Sequence, residues 1–188
     1  MRDYRNWKDE AMGIIDRVKD IFNFKKEDKT PEARFEQARE SRLDGELQEA
    51  LDHWNRLQEE SPEFKPRVNI GRARVYILMG KSNPARRELM EFMEWYCQRE
   101  SVDYNSTFFT IFISALQDLG YLEGDWPDKQ QYLDNLAGSD ITLDRSQVVD
   151  RIQQGLEILK EEGLWTEDLK LIKDNIARLI RIDGGQLD

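Results

Sequence analysis

Cysteine and histidine, the residue types that most often serve as nucleophile, proton shuttle or zinc ligand, occur once each, as Cys97 and His53. One of each is too few for a zinc site with the usual set of Cys and His ligands. Glu49 precedes His53 by four residues, whereas a di-iron carboxylate site needs a Glu-x-x-His pair. We therefore interpret His53 as a surface or boundary residue and predict no metal and no other cofactor.

Catalytic motifs of other kinds are not indicated by the sequence. The fragment Gly80-Lys81-Ser82 lacks the first glycine of a phosphate-binding loop and the strand that precedes such a loop. Catalysis by carboxylates alone stays open, because any two of the 38 acidic residues could meet in space. We nevertheless predict that the protein is not an enzyme.

The composition indicates a helical protein with a hydrophobic core. Hydrophobic residues make up 39% of the chain and charged residues 35%, with only five prolines and eleven glycines. The abundant Leu, Ala, Glu, Lys, Arg and Gln residues lose little entropy in a helix. The single cysteine favours a reducing compartment, and neither a secretory signal nor a run of roughly 18 apolar residues is visible. We predict a cytoplasmic all-α protein.

The formal net charge of −10 argues against a nucleic acid partner, because the protein repels phosphate groups. The charge is distributed unevenly along the chain. Residues 1–26 contain seven basic and five acidic side chains, so that the remainder carries a balance of −12. The first segment therefore differs chemically from the rest.

The hydrophobic periodicity predicts a series of helices, and these helices must position any functional site. Thr30-Pro31, Pro66 and Asn83-Pro84 mark helix starts, whereas Asp44-Gly45, Gly80 and Gly163 mark helix ends. Asp144 with Gln147 predicts a capping box. The predicted helices cover residues 3–23, 31–43, 46–59, 66–79, 84–99, 104–118, 127–137, 145–162 and 167–182.

Two of the predicted helical pairs are related at a fixed distance in the sequence. Ala38, Gly45, Ala50, Trp54 and Leu57 are followed 35 residues later by Ala73, Gly80, Ala85, Leu89 and Phe92. Small residues permit close helix approach, glycine permits the turn, and the large apolar residues fill the next layer.

This pattern resembles the tetratricopeptide repeat, a helical hairpin of about 34 residues. The run from Gly45 to Ala50, followed by Trp54 and Pro62, is similar to the second helix of that family, and Tyr76 fits an aromatic position of its first helix. Arg34, Gln37 and Ser41 depart from the family pattern. The resemblance covers residues 31–99, while a pair at 106–137 and another at 145–182 have only the helical outline. Another stack or bundle of helical hairpins remains the alternative.

The resemblance implies that the first helix of each pair lines a groove that holds a peptide. Seven residues would line this groove: Phe35, Arg39, Arg42, Arg67, Ile70, Arg74 and Ile77. Because arginine forks match carboxylates, we expect the groove to bind an acidic or carboxylate-bearing segment of a partner protein. The alternative is that these arginines pair with the protein's own acidic residues.

The first predicted helix carries an apolar stripe that forms a candidate docking face. Its members are Tyr4, Trp7, Ile14, Val18 and Ile21. Three interpretations stay open: this helix packs on the body of the protein, it docks on a partner or on a second copy, or it lies on a membrane surface. The acidic residues Asp3, Asp9 and Asp16 argue against binding to anionic lipid.

These observations predict a TPR-like superhelix preceded by an amphipathic helix. We divide the chain into the N-terminal helix at residues 1–24, the TPR-like hairpins at 30–137 and a C-terminal hairpin at 138–188. The predicted function is that of a non-catalytic scaffold or adaptor that binds a partner segment in its groove. A peripheral membrane factor that is anchored by the N-terminal helix is the alternative.

Overall fold

The computed structural model describes residues 30–98 and 107–174, and all regular secondary structure within these two ranges is helical. The predicted all-α class is therefore confirmed. The predicted N-terminal helix, with Tyr4, Trp7, Ile14, Val18 and Ile21, lies outside the described residues. Among the helices that are described, none is long and apolar enough to cross a membrane.

The helices are numbered here in chain order. Helices α1 to α4 span Pro31–Leu43, Leu47–Glu60, Lys65–Leu78 and Ser82–Cys97, with a short 3-10 helix at Pro62–Phe64. Helices α5 to α7 span Thr107–Glu123, Lys129–Leu136 and Arg145–Glu161. Helix α8 begins at residue 167 and is described through residue 174.

Side-chain caps fix several of the predicted helix starts. The Thr30 hydroxyl accepts a hydrogen bond from the Ala33 N–H at 3.3 Å, and Pro31 occupies the first turn of α1. The Asp144 carboxylate accepts from the N–H groups of Ser146 and Gln147 at 2.9 and 3.2 Å, which caps α7. Because such caps satisfy N–H groups that have no partner within the helix, they specify where each helix begins.

Residues 31–97 form two helical hairpins, α1–α2 and α3–α4. Gly45 and Gly80 close the first helix of each hairpin with φ angles of 80° and 70°, a conformation that suits glycine. The apolar members of the repeat are all buried, with exposed fractions between 0% and 2%: Ala38, Ala50, Trp54, Leu57, Ala73, Ala85, Leu89 and Phe92. Helix α2 also packs on α3, which joins the two hairpins into one stack.

The second half of the chain differs from the predicted order of pairs. Helix α5 has its most extensive contact with α7, whereas the expected partner of α5 in a hairpin at residues 106–137 was α6. The reason is a close backbone crossing at Gly120 and Gly155. A Cβ at either position would overlap the main chain of the facing helix, at Arg151 and at Leu116 respectively. Helix α6 packs instead on α3.

The hydrophobic core continues across residue 137. One cluster of buried residues combines Leu89 and Phe92 of α4, Leu116 of α5, Leu156 of α7 and Leu169 of α8. The division of the chain at residues 137/138 stays a prediction about domain organisation. Packing in the described residues links α5 and α7 directly across that position.

Candidate partner-binding groove

The first helices of the stack, α1, α3 and α5, bring several of the predicted site residues to one face. Phe35 of α1 lies beside Arg67 of α3 at one end, and Arg42 of α1 shares a cavity with Arg74 of α3 at the other. Helix α5 contributes the remaining residues of this surface. We call the surface the arginine face, and its members are Phe35, Arg39, Arg42, Arg67, Arg74, Phe108, Ser114 and Asp118.

Arg67 occupies the aromatic end of the arginine face. Its guanidinium carbon lies 6.0, 5.7 and 5.6 Å from the ring centroids of Phe35, Phe64 and Phe108, which is within the range of cation–π attraction. Phe35 in turn packs edge-on against Trp54, with 5.0 Å between the ring centroids. Among the described residues, no carboxylate lies within ion-pair distance of Arg67. The aromatic rings therefore hold this cation in place but leave its charge unpaired.

Arg39 lies between the two ends and is exposed. Its Nη1 donates to a carboxylate oxygen of Glu36 at 3.0 Å, one turn earlier on α1. Because both side chains are more than half exposed, this pair contributes little to stability.

The predicted assignment of Ile70 and Ile77 to the groove is corrected by the structure. These side chains are only 5% and 4% exposed, and each belongs to a buried hydrophobic cluster. Both lie on the same side of α3 as Arg67 and Arg74, but Ile70 is covered by a cluster that includes Phe112 of α5, and Ile77 by a cluster that includes Tyr121 of α5 and Tyr132 of α6. They support the site from within the core and cannot contact a partner.

The opposite end of the arginine face forms a half-open cavity of about 220 Å³. Helix α6 forms one wall of this cavity. We call this space the arginine cavity; its lining residues are Arg42, Arg74, Ser114, Gln117, Asp118, Tyr132, Asn135 and Leu136.

Arg74 is bound to its surroundings in the arginine cavity. Its Nε donates to Asp118 at 3.0 Å, and its Nη2 donates to the Ser114 hydroxyl. Tyr132 donates its hydroxyl hydrogen to the other oxygen of Asp118, whose side chain is only 2% exposed. Burial lowers the pKa of Arg74, but the charge of Asp118, the neighbouring Tyr132 hydroxyl and the hydrogen bond to Asp118 outweigh burial, so the pKa is raised overall.

Arg42, unlike Arg74, has no hydrogen bond to a carboxylate among the described residues. Its Nη1 is buried and has no hydrogen-bond partner in the described structure. Burial and the nearby charges of Arg74 and Arg39 lower the pKa of Arg42 to about 10, and the more distant effect of Asp118 only partly opposes them. Asp118 is already engaged by Arg74 and Tyr132. The cavity therefore holds a cation with a hydrogen-bond donor that the protein itself does not satisfy.

Helix α6 is held over the cavity by aromatic and ionic contacts. The ring of Tyr132 stacks on Tyr121 of α5 with 4.3 Å between centroids. Arg151 of α7 is fully buried, lies 4.7 Å from the Tyr132 ring centroid and donates to Asp128 at 2.7 Å. Because Asp128 immediately precedes α6, this buried ion pair fixes the position of the helix.

The sequence left two interpretations of the arginines open, namely binding of a partner and pairing with the protein's own acidic residues, and each interpretation fits different arginines. Arg39 and Arg74 pair with the protein's own carboxylates, whereas Arg42 and Arg67 have none within the described ranges. Sequence reasoning missed the partners that α5 and α6 supply. A signal for the α5 residues was present, because Ser114, Gln117 and Asp118 are polar residues at helical spacing within an otherwise apolar helix. Tyr132 and Asn135 gave no such signal.

The other residues with chemical potential lie apart from the arginine face. His53 is partly buried on α2 with its Nε2 3.3 Å from Glu49, and Cys97 ends α4. Within residues 30–98 and 107–174, no group of three or more His, Cys, Asp and Glu side chains is placed to hold a metal ion.

Comparison with known proteins does not assign the chain to a family. Neither protein-family models, nor curated proteins, nor solved structures match it. The resemblance to the tetratricopeptide repeat therefore stays a prediction that depends on residues 31–99. Function must be inferred from the geometry and the charges of the arginine face.

Proposed function

We propose that this protein is a non-catalytic adaptor that binds an acidic segment of a partner protein along the arginine face. The observation that carries the proposal is that two cations, Arg42 and Arg67, have no carboxylate partner among the described residues and lie on one face of a chain whose net charge is −10. Leaving a partly buried cation unpaired costs free energy. A partner carboxylate would offset that cost when it binds.

The proposed superhelix supports the same function. The hairpins α1–α2 and α3–α4 bury equivalent residues, and α1, α3 and α5 present the arginine face. In the family that the sequence resembles, the first helices hold extended or helical peptides. The arginines at the two ends offer charge to such a peptide, and Phe35 and Phe108 beside Arg67 offer apolar contact. We place the adaptor in the cytoplasm because its single cysteine cannot form an internal disulfide.

A selection from a displayed random-peptide library against the immobilised full chain tests the proposal. We expect the selected peptides to be enriched in Asp and Glu and to shift the amide signals of α1, α3 and α5. The double variant Arg42→Glu with Arg67→Glu should reduce their affinity at least about a hundredfold, because repulsion replaces attraction at both ends.

The matched control is Arg56→Glu with Lys81→Glu, which changes the net charge equally at exposed positions outside the arginine face. This control should retain nearly full affinity. Peptides without acidic enrichment, or equal losses in both double variants, would contradict the proposed function.

Attachment to a membrane through the N-terminal helix is the second candidate from the sequence. The residues that it requires lie within positions 1–29, outside the described structure, so no observation favours it.

A further inference from the structure

We propose that the arginine cavity is a receptor for one carboxylate group, which would be held between the guanidinium groups of Arg42 and Arg74. This inference rests on the proposed function and specifies its chemistry: the partner segment inserts a single monoanionic carboxylate into the cavity at the end of the arginine face. The carboxylate comes from an Asp or Glu side chain or from a C-terminus. The remainder of the segment would lie toward Arg67.

The available hydrogen-bond donors match a carboxylate. Arg42 lines the cavity, and its Nη1 is covered by other atoms without a hydrogen-bond partner among the described residues, so that the guanidinium group must turn to present this nitrogen to the ligand. Arg74 uses Nε for Asp118 and Nη2 for Ser114, so that its Nη1 has no hydrogen bond to the described residues. Two guanidinium nitrogens on different helices can each donate to one of two carboxylate oxygens, and charge-assisted bonds of this kind are strong. An apolar ligand would leave both donors unsatisfied.

The charges of the lining residues favour a ligand with one negative charge. Arg42 and Arg74 contribute two positive charges and Asp118 one negative charge, while burial raises the pKa of Tyr132 well above its ordinary value and keeps this residue neutral. A monoanion therefore neutralises the cavity. A phosphate dianion would leave an excess negative charge beside the buried Asp118 carboxylate, and its desolvation would cost more.

The dimensions of the cavity limit what can enter it. A volume of about 220 Å³ accommodates a carboxylate with a few methylene groups, given that one water occupies about 30 Å³ in the liquid. Tyr132, Asn135 and Leu136 of α6 line one side, and the volume is too small for a helix, which is about 10 Å across with its side chains. The ligand therefore enters as the tip of a side chain or of a chain terminus.

The test uses the full chain, labelled with nitrogen-15, and three small probes. Propionate represents the end of a Glu side chain, propionamide is its neutral analogue, and inorganic phosphate is the competing anion. We expect propionate to produce saturable shifts of the Arg42 and Arg74 Nε–H signals and of the amides of α5 and α6. Propionamide should produce no saturable shift, and phosphate should bind at least about tenfold more weakly than propionate.

Two variants on the same helix provide the comparison. Arg42→Gln should weaken propionate binding by about tenfold or more, because a charge-assisted hydrogen bond is lost. Arg34→Gln is the matched control and should change it by less than about twofold, since Arg34 lies outside the arginine face and pairs with Glu60. Arg42→Lys keeps the charge without the planar fork, should lose an intermediate amount of affinity, and serves if the Gln variant fails to fold.

The outcomes separate this inference from the proposed function. Equal binding of propionamide, phosphate binding as tight as propionate binding, or an unchanged affinity in Arg42→Gln would overturn the carboxylate receptor. If selected acidic peptides still require Arg67 in that case, the adaptor function stands without it. If propionate binds as expected but the library yields no acidic peptide, the cavity stands and the adaptor function falls.

The source of the carboxylate follows from the selected peptides themselves. A peptide that loses affinity when its C-terminal carboxylate is amidated uses its terminus. A peptide that loses affinity only on Glu→Gln or Asp→Asn replacement uses a side chain. A peptide that tolerates both changes does not place a carboxylate in the cavity and would contradict the inference.

Discussion

Arg42 and Arg74 share the arginine cavity, but their guanidinium groups have different surroundings. Arg74 forms an ion pair with Asp118, whose side chain is 2% exposed, and Tyr132 supports that pair. Arg42 has a lowered pKa and a buried Nη1 without a partner. We therefore expect Arg74 to stabilise the free protein and Arg42 to destabilise it.

Replacing each arginine by methionine should have opposite effects on stability. Arg42→Met keeps an apolar stem and removes the uncompensated charge, so we expect the free energy of unfolding to rise by about 1 kcal/mol. Arg74→Met leaves Asp118 buried without its cation, and we expect a loss of about 3 kcal/mol. Urea denaturation of both variants measures these changes. Destabilisation of similar size in both would show that Arg42 has a purely structural role.

Cys97 provides a test of burial at the end of α4. Burial raises the pKa of its thiol from 9.0 to about 11. A group with a raised pKa in the folded state stabilises the protein below its unfolded pKa, and this contribution disappears as the pH rises from about 9 to about 11. We expect alkylation at pH 8.5 to be at least about tenfold slower in the folded chain than in urea, because little thiolate is present. Equal rates would show that the thiol is exposed.

The crossing of α5 and α7 determines the order of helices in the second half of the chain. Gly120 and Gly155 allow the two backbones to approach closely, with Arg151 and Leu116 facing them. Since the facing atoms belong to the main chain, they cannot move aside as a flexible side chain could. This contact places α6 outside the pair, where it forms one wall of the arginine cavity.

Adding a methyl group at this crossing should therefore be costly. We expect Gly120→Ala and Gly155→Ala each to lower the free energy of unfolding by about 2 to 3 kcal/mol, although alanine is the better helix former. Gln154→Ala, an exposed neighbour on α7, serves as the control and should change stability by less than about 0.5 kcal/mol. Urea denaturation measures all three. A neutral or stabilising effect of both glycine replacements would contradict the close crossing.

The hairpins α1–α2 and α3–α4 could be predicted from sequence because their signals are local. Periodic apolar residues, Thr30, Pro31 and the glycines at 45 and 80 each mark a boundary within a few residues of the observed one. The α5–α7 pair could not be predicted in this way. Periodicity shows which side of a helix is buried but not which neighbour covers it.

The candidate site, like the fold, could be predicted from sequence only where the signals are local. The repeat register predicted that Arg42 and Arg74 lie on one face, and both line the arginine cavity. The register also assigned Ile70 and Ile77 to the groove, but these two residues are buried. Asp118 and Tyr132 reach the cavity from helices outside the recognisable repeat. Their roles depend on long-range packing, to which a sequence pattern alone gives no access.

The charge of the whole chain affects where on the surface an acidic segment can bind. The net charge is −10, and residues 1–26 carry more basic than acidic side chains. An acidic segment would be repelled by most of the surface and attracted at the arginine face. Such a pattern supports selectivity, because an acidic ligand gains favourable contacts only where unpaired arginines lie.

Deletion of residues 1–28 tests whether the arginine face acts independently of the N-terminal segment. We expect the shortened chain to bind selected acidic peptides with an affinity within about threefold of the full chain, because α1, α3 and α5 supply the contacts. Sedimentation with anionic vesicles should show no binding for either chain. Vesicle binding by the full chain that is lost on deletion would instead support the membrane-associated alternative.

The measurement that tests the central claim most directly is a double-mutant cycle between Arg42 and the carboxylate of a selected peptide. Calorimetry would give the binding free energies of the full chain and of Arg42→Gln, each with the acidic peptide and with its neutral amide analogue. A direct contact predicts a coupling of about 1.5 kcal/mol or more between the two changes. Effects that add within about 0.5 kcal/mol would show that Arg42 does not hold the carboxylate.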